Sequence, residues 1–405
     1  MKGRRAYGPL PPGPRAPAAV NMARLVQHPI ESLVGWRERY GDVYTVPLVV
    51  FGVGVYVCDP EAIRGMLTGD QSDLHAGEAN APLSPVLGDK SLLTLDGREH
   101  MRQRKLLLPP FQGSAVQNFR EVIREVAEAE VDGWKEGDSF VMRERMRALT
   151  FEVIVRAVFG VTERERIERL RSALVSVLDM QMIFALPNAL RRDLGRFSPW
   201  GQFQRRLKAA DSLLYEEITR RRSETDLEQR TDVLSLLLRA RDEEGEPMTD
   251  LELRDELMTM LMAGHETTAT GLAFVFDLLP RSPHVLARLR DELGGEDDTY
   301  LDAVVTETHE FRPERFIEEE APSYAWLPFG GGIRRCIGAA LAQAEMAEVI
   351  RTVVSRVDLE PTRPDREPVV MRGITLVPRH GTPVTVRRVS GRGAASKPQP
   401  AAASG

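Results

Sequence analysis

The sequence predicts a mostly α-helical protein with a small β region, and three observations carry that prediction. From Ser114 to about Arg241 apolar residues recur at helical spacing, as in Val116, Phe119, Val122, Ile123 and Val126, and again in Met146, Leu149, Val153, Ile154 and Ala157. A second long helical pattern runs from Asp250 to Leu279. Strand-like stretches are few and short, at 43–58 and 371–386. The 405 residues are 42% hydrophobic and 28% charged, ordinary values for a globular protein with a sizeable core. A net charge of -6 disfavours nucleic acid as a partner but allows a local basic face. No apolar run is long enough for a membrane span, and no signal-peptide core is present. Cys58 and Cys336 are the two cysteines, in dissimilar settings, so a disulfide scaffold is not indicated and a cytoplasmic location is expected.

In chain order, residues 1–17 form a basic, proline-rich leader expected to be extended. A helix is predicted over Pro29–Tyr40, ending at Gly41. Two strands follow, Val43–Val50 and Val53–Cys58, joined at Phe51-Gly52, and then a short helix over Pro60–Leu67. Residues 71–90 carry Gly, Pro, Asn and Asp without a clear period and read as a loop of functional length. On the next helix His100 and Arg104 stand at i and i+4, so both donate from one face. The apolar run Met180–Pro187 reads either as packing under a helix end or as a mobile lid.

The long helix over Asp250–Leu279 has Ala263-Gly264-His265-Glu266-Thr267-Thr268 at its middle, a poor choice on propensity alone. A threonine hydroxyl there competes for a backbone carbonyl and can open the ladder beside water or a diatomic ligand. Short helices are predicted over Ser282–Leu293 and from Tyr300 onward. Beyond them comes Phe329-Gly330-Gly331-Gly332-Ile333-Arg334-Arg335-Cys336-Ile337-Gly338, a glycine-rich loop that turns into a helix running to about Val357. The free amides and dipole of a helix start favour a thiolate at Cys336, and a rigid, shielded thiolate suits a soft metal, haem iron in particular. The glycines allow backbone to pass close to a flat, bulky group, and Arg334 can answer an anion on it. A dinucleotide loop is excluded because Arg335 stands where its third glycine belongs. A hairpin is predicted from Met371–Pro378 and Val384–Val386, turning at Arg379–Thr382. The tail over 390–405 is low in complexity and expected to be disordered.

Phe329, Gly332, Arg334, Cys336 and Gly338 fall on Phe-x-x-Gly-x-Arg-x-Cys-x-Gly, which resembles the haem-binding loop of the cytochrome P450 family. Ala263–Thr268 resembles that family's oxygen-activation segment, and His100 with Arg104 resembles its propionate-holding pair. The resemblance implies a soluble, bacterial-type haem-thiolate monooxygenase of the cytochrome P450 fold, with one domain over residues 18–389 and haem b as cofactor. Cys336 would be the metal ligand, in a loop shaped by Phe329 and Gly338. His100, Arg104 and Arg334 would hold the propionates. Glu266 would relay protons, and Thr267 would hydrogen-bond dioxygen. His265 is expected to be a pocket or helix-face residue. One oxygen atom would enter a small apolar substrate, with two electrons from a separate ferredoxin or flavodoxin. Arg102, Lys105 and Arg335 would offer that partner a basic face.

The resemblance breaks at one place. Glu307-Thr308-His309-Glu310 stands where the family carries Glu-x-x-Arg, so the arginine is missing. The chain then runs straight into Phe311–Phe316, which resembles the family's meander ending in Pro-Glu-Arg-Phe, without the several dozen residues that normally intervene. Glu307 should therefore pair directly with Arg312 or Arg315, residues 43–58 should be close to a lone hairpin, and haem should be held poorly. The expectation is a deletion form of the monooxygenase. The alternative is a catalytically silent haem- or ligand-binding remnant of the same fold.

Overall fold

The computed structural model describes residues 9–49, 52–70, 74–178, 180, 191–195, 198–293, 295, 298–307, 311–318 and 324–390. The elements, in order, are α1 (Ala18–Gln27), α2 (Pro29–Tyr40), β1 (Val43–Leu48), β2 (Gly52–Val57), α3 (Pro60–Thr68), α4 (Ala76–Asn80), α5 (Ser84–Leu87), α6 (Gly97–Leu107) and α7 (Ser114–Asp132). There follow β3 (Ser139–Val141), α8 (Met142–Phe159), α9 (Arg164–Leu178), α10 (Pro199–Ser223), α11 (Val233–Arg239), α12 (Asp250–Leu278), α13 (Pro283–Glu292) and α14 (Thr299–Thr306). The chain closes with α15 (Arg315–Glu318), α16 (Ala339–Arg356), β4 (Val357–Pro361), β5 (Val369–Arg372), β6 (Thr375–Pro378) and β7 (Pro383–Val389).

The main core is built where α12 packs on α8, α16 packs on α7, and α12 meets α16. Ile123, Met146, Val155, Leu257, Leu272, Val349 and Ile350 are sealed at this junction. Helices buried on nearly every side, as α8 and α12 are, carry apolar residues all round rather than on one stripe. The start of α12 is fixed by a capping box: Thr249 Oγ1 accepts from the Glu252 amide at 3.2 Å, and Glu252 accepts from the Thr249 amide at 2.7 Å.

The β region is three small antiparallel sheets, β1–β2, β3–β7–β4 and β5–β6. A second, smaller core of Leu25, Trp36, Tyr44, Val46 and Leu48 seats β1 on α1 and α2. Tyr44 stacks on Tyr56 at 5.4 Å and donates to the Leu33 carbonyl at 3.1 Å. Helix α1, which the periodicity did not announce, anchors the leader: the Asn21 amide donates to the carbonyls of Ala16 and Pro47.

Two expectations are corrected. The stretch 71–90 is not simply a loop, since it holds α4, α5 and a 3-10 turn at Ala81–Leu83. Asp96, far along the chain, accepts from the amides of Gly77 and Glu78 at 2.8 and 3.0 Å, a tertiary cap that local sequence cannot show. The late hairpin turns at Gly373, whose φ of 61° suits a tight turn, and joins β5 to β6, while β7 crosses to the sheet of β3 and β4. Of the proposed lid over Met180–Pro187 and the tail over 390–405, all but Met180 and Ser390 lie outside the described residues.

Candidate active site

The loop before α16 owes its glycines to a neighbour within the protein. A Cβ on Gly332, whose φ is 57°, would stand 2.2 Å from the Leu67 carbonyl oxygen, and one on Gly331 would stand 2.7 Å from Leu67 Cδ1. Within the protein the close approach is to the end of α3. The Cys336 amide donates to the Phe329 carbonyl at 2.9 Å, closing the loop on itself. Gly338 caps α16 at its N-terminus. Cys336 is open to solvent within a recess whose walls push its thiol up. The Gly338 amide and the charges of Arg104 and Arg335 oppose that rise and favour the thiolate.

Helix α6 brings His100 and Arg104 to the same place. Arg104 Nη2 donates to the Arg335 carbonyl at 2.7 Å, so it borders the cysteine loop directly. His100 is buried, and its Nδ1 has no hydrogen-bond partner among the described residues. Burial first, then the charges of Arg334 and Arg104, push its pKa down to about 4 against the pull of Asp96. Two guanidinium groups beside a buried imidazole make a setting that favours a bound anion. Arg334 is anchored within the protein, although its buried Nε has no partner among the described residues. Its guanidinium donates to Asp96 at 2.6 Å and to the carbonyls of Leu95 and Leu92 at 2.7 and 3.2 Å, so it is committed to tying the loop to the start of α6.

On α12 the residues of the central motif point in different directions. Ala263 and Thr267, one turn apart, are exposed on a helix that is otherwise mostly buried. Their stripe continues to Gly271, where a Cβ would meet Met346 of α16 at 3.2 Å. Thr267 Oγ1 donates to the Ala263 carbonyl at 2.6 Å, yet α12 stays α-helical throughout, so the expected local opening is absent. A Cβ on Gly264 would stand 2.1 Å from Ile154 Cδ1, which explains this glycine by the approach of α8. His265 also faces α8: its ring lies edge-on to Phe151 at 5.6 Å, and Nδ1 is 2.6 Å from the Leu261 carbonyl. Glu266 is buried and clamped by Arg143 and by Arg147, the latter at 2.9 Å. Sequence reasoning missed both arginines. The signal was two cations at i and i+4, Arg143 and Arg147, on a helix that is mostly buried.

The cytochrome P450 family model matches residues 10–308 and 302–384. Cytochrome P450 135B1 of Mycobacterium tuberculosis is 36% identical over 445 aligned positions, covering 96% of this chain and 93% of that protein. Cytochrome P450 135A1 of the same organism is 33% identical, covering 96% and 98%. The chain belongs to the cytochrome P450 family. It is by that membership a haem-thiolate monooxygenase, an enzyme whose cofactor is haem b and which acts on an organic substrate with dioxygen and a redox partner. Two solved structures share the fold: the retinoic acid bound cyanobacterial CYP120A1, at TM-score 0.77 and 19% identity over 94% of this chain and all of that one, and the cytochrome P450DA heme domain, at 0.78 and 21% over 95% and 99%.

The cytochrome P450 comparison bears on the break after Glu307. An alignment of 445 positions cannot fit 405 residues, so at least 40 positions of the relative face no residue here. The two matched segments meet at 302–308. Glu307 is fully buried and paired with Arg315, one of the two arginines expected, and Arg315 lies over the rings of Phe316 and Trp326 at 5.0 and 5.9 Å. Residues 308–310 lie outside the described residues. No helix among the described residues is long and apolar enough to cross a membrane.

The residues present fit haem b. Arg104 borders both the Cys336 thiol, which has amide and cationic support, and the buried His100, whose Nδ1 has no partner among the described residues. That donor set answers a metal and the carboxylates around it. The basic docking face fits less well. Arg102 is bound by Asp242 and Glu252 at 2.6 and 2.7 Å, and Lys105 by Glu243 at 2.6 Å, so of the three cations only Arg335 is without an acid partner among the described residues. Acidic side chains from the approach to α12 neutralise the patch that the sequence of α6 alone suggested.

Proposed function

We propose that the chain is a deletion form of a cytochrome P450 that oxygenates a small apolar substrate with electrons from a separate ferredoxin or flavodoxin, and that it holds haem weakly. The bound haem supplies activation of dioxygen at an iron whose thiolate ligand donates electron density. Cys336 is the ligand, placed by the Phe329 carbonyl and the start of α16. His100 and Arg104 hold the propionates, and the orphaned Nδ1 of His100 is the single observation that carries this reading. Arg334 contributes by fixing the loop on Asp96 and through its charge. Phe329 and Gly338 shape the loop on either side of the ligand. Thr267, exposed on α12, would donate its hydroxyl to oxygen on turning from the Ala263 carbonyl that now accepts it. Glu266, one residue away, stores a carboxylate between Arg143 and Arg147 and passes protons when that clamp loosens.

Weak haem binding follows from the positions that relatives have and this chain lacks. The same observation favours a second reading, a silent remnant that binds haem or an apolar ligand without turnover. Haem content of the purified chain, measured beside oxidation of an apolar probe with a surrogate ferredoxin system, separates the two. Substoichiometric haem with product formed per bound haem supports the proposal. Bound haem without any product establishes the remnant.

A further inference from the structure

The segment 88–96, between α5 and α6, is held from two sides. On one side stand three residues of α12. Asp255 Oδ2 accepts from the Lys90 amide at 2.9 Å, Glu256 Oε1 accepts from the Leu92 amide at 2.8 Å, and Thr259 Oγ1 lies 2.7 Å from Ser91 Oγ. On the other side stands Arg334 of the cysteine loop, which donates to the carbonyls of Leu92 and Leu95 and to Asp96. Leu92 is where the two sides meet, since its amide goes to Glu256 and its carbonyl to Arg334.

Glu256 is a costly residue for its place, being only 1% exposed. Burial pushes its carboxyl well above the usual carboxylate range, against the pull of the Leu92 amide, and the charges of Asp255 and Glu252 add to the rise. No cation offsets them among the described residues. A carboxyl kept uncharged still accepts a hydrogen bond through its carbonyl oxygen, and that is the bond the Leu92 amide receives. An apolar residue would suit the burial better but would leave that amide unsatisfied.

We infer that Glu256 is a positioning residue for the haem-thiolate centre: it sets Leu92, Leu92 helps to set Arg334, and Arg334 sets the loop that carries Cys336. Groups that orient a ligand from behind govern its affinity nearly as much as the ligand does. Helix α12, which carries Thr267 on the oxygen side, thereby also fixes the thiolate loop through the protein itself. Asp255 and Thr259 help to hold the segment, but their partners Lys90 and Ser91 give Arg334 no acceptor among the described residues. The inference rests on the reading of Cys336 as the haem ligand.

Hydrogen exchange of the full-length chain, with haem titration followed at the Soret band, tests it in Glu256→Leu and Glu256→Gln. Leu fills the space without an acceptor, whereas Gln keeps the acceptor without a charge. Glu256→Leu should speed exchange of the amides of 88–96, Arg335 and Cys336 by about tenfold, leave the β3–β7–β4 sheet unchanged, and weaken haem binding by a similar factor. Glu256→Gln should keep the parent's values in both measurements. Glu256→Asp, which draws the acceptor back, should show the pattern of Leu in weaker form and replaces it if Leu does not fold. Faster exchange confined to 88–96 overturns the inference, as does an equal rise in the β3–β7–β4 sheet, a Gln variant that behaves like Leu, or haem affinity that Leu leaves unchanged. A parent chain that takes up no haem yet shows the expected exchange pattern would support the linkage and contradict the reading of Cys336 as ligand.

Discussion

Gly264 gives the sharpest test of how the oxygen-side helix is placed. Its replacement by Ala puts a methyl 2.1 Å from Ile154 Cδ1 and 3.5 Å from Ile154 Cγ1, and only the first is a clash. Relief requires α8 and α12 to part or Ile154 to leave its rotamer. Overpacking of this kind costs about 1–3 kcal/mol, while the better helix propensity of Ala returns about 1 kcal/mol. The net expectation is a loss of about 0–2 kcal/mol. Ile154→Val removes the clashing Cδ1 and by itself costs about 0.5–1.5 kcal/mol. The double variant should therefore fall short of the sum of the single losses by about 1 kcal/mol. Urea unfolding of all four proteins, with unchanged slopes, measures this. Strict additivity in the double variant would refute the packing argument and leave the glycine unexplained.

Two further outcomes follow from buried charge. Arg143→Gln leaves the buried Glu266 with Arg147 as its remaining close arginine and should cost about 3 kcal/mol or more in urea unfolding; a loss under half of that would mean the clamp is not the state populated in solution. Glu345 on α16 is fully buried, and burial pushes its pKa up to about 8 from 4.5. The folded chain therefore binds this proton more tightly than the unfolded chain, so stability should fall as pH rises from about 4.5 to about 8 and level off above. Glu345→Gln should flatten that part of the profile, and an unchanged slope would remove Glu345 as its cause.

Most helices were legible because their apolar spacing is long and regular, as in α7, α8 and α12. The haem loop and the Ala263–Thr268 motif were legible as residue types, since thiol, acid and hydroxyl chemistry is written in the side chains. Their partners were not. Asp96 serves both the α4 amides and Arg334, and its two roles connect segments distant in the chain. Glu266 read as a plain carboxylate until α8 brought Arg143 and Arg147 to it. The basic face over Arg102 and Lys105 dissolved for the same reason, since its neutralising acids arrive from residues 242–252. The glycines of 331–332 illustrate a subtler limit. Sequence shows that backbone must pass close to something, but only the fold shows that it is Leu67.

The account depends on the sulfur of Cys336 reaching haem iron, and the reduced, CO-bound absorption spectrum measures that directly. After reconstitution with excess haem, the parent chain should show the strongly red-shifted Soret band of thiolate ligation, and Cys336→Ser should lose it. A parent spectrum without that shift, or a shift that survives in Cys336→Ser, would contradict the account.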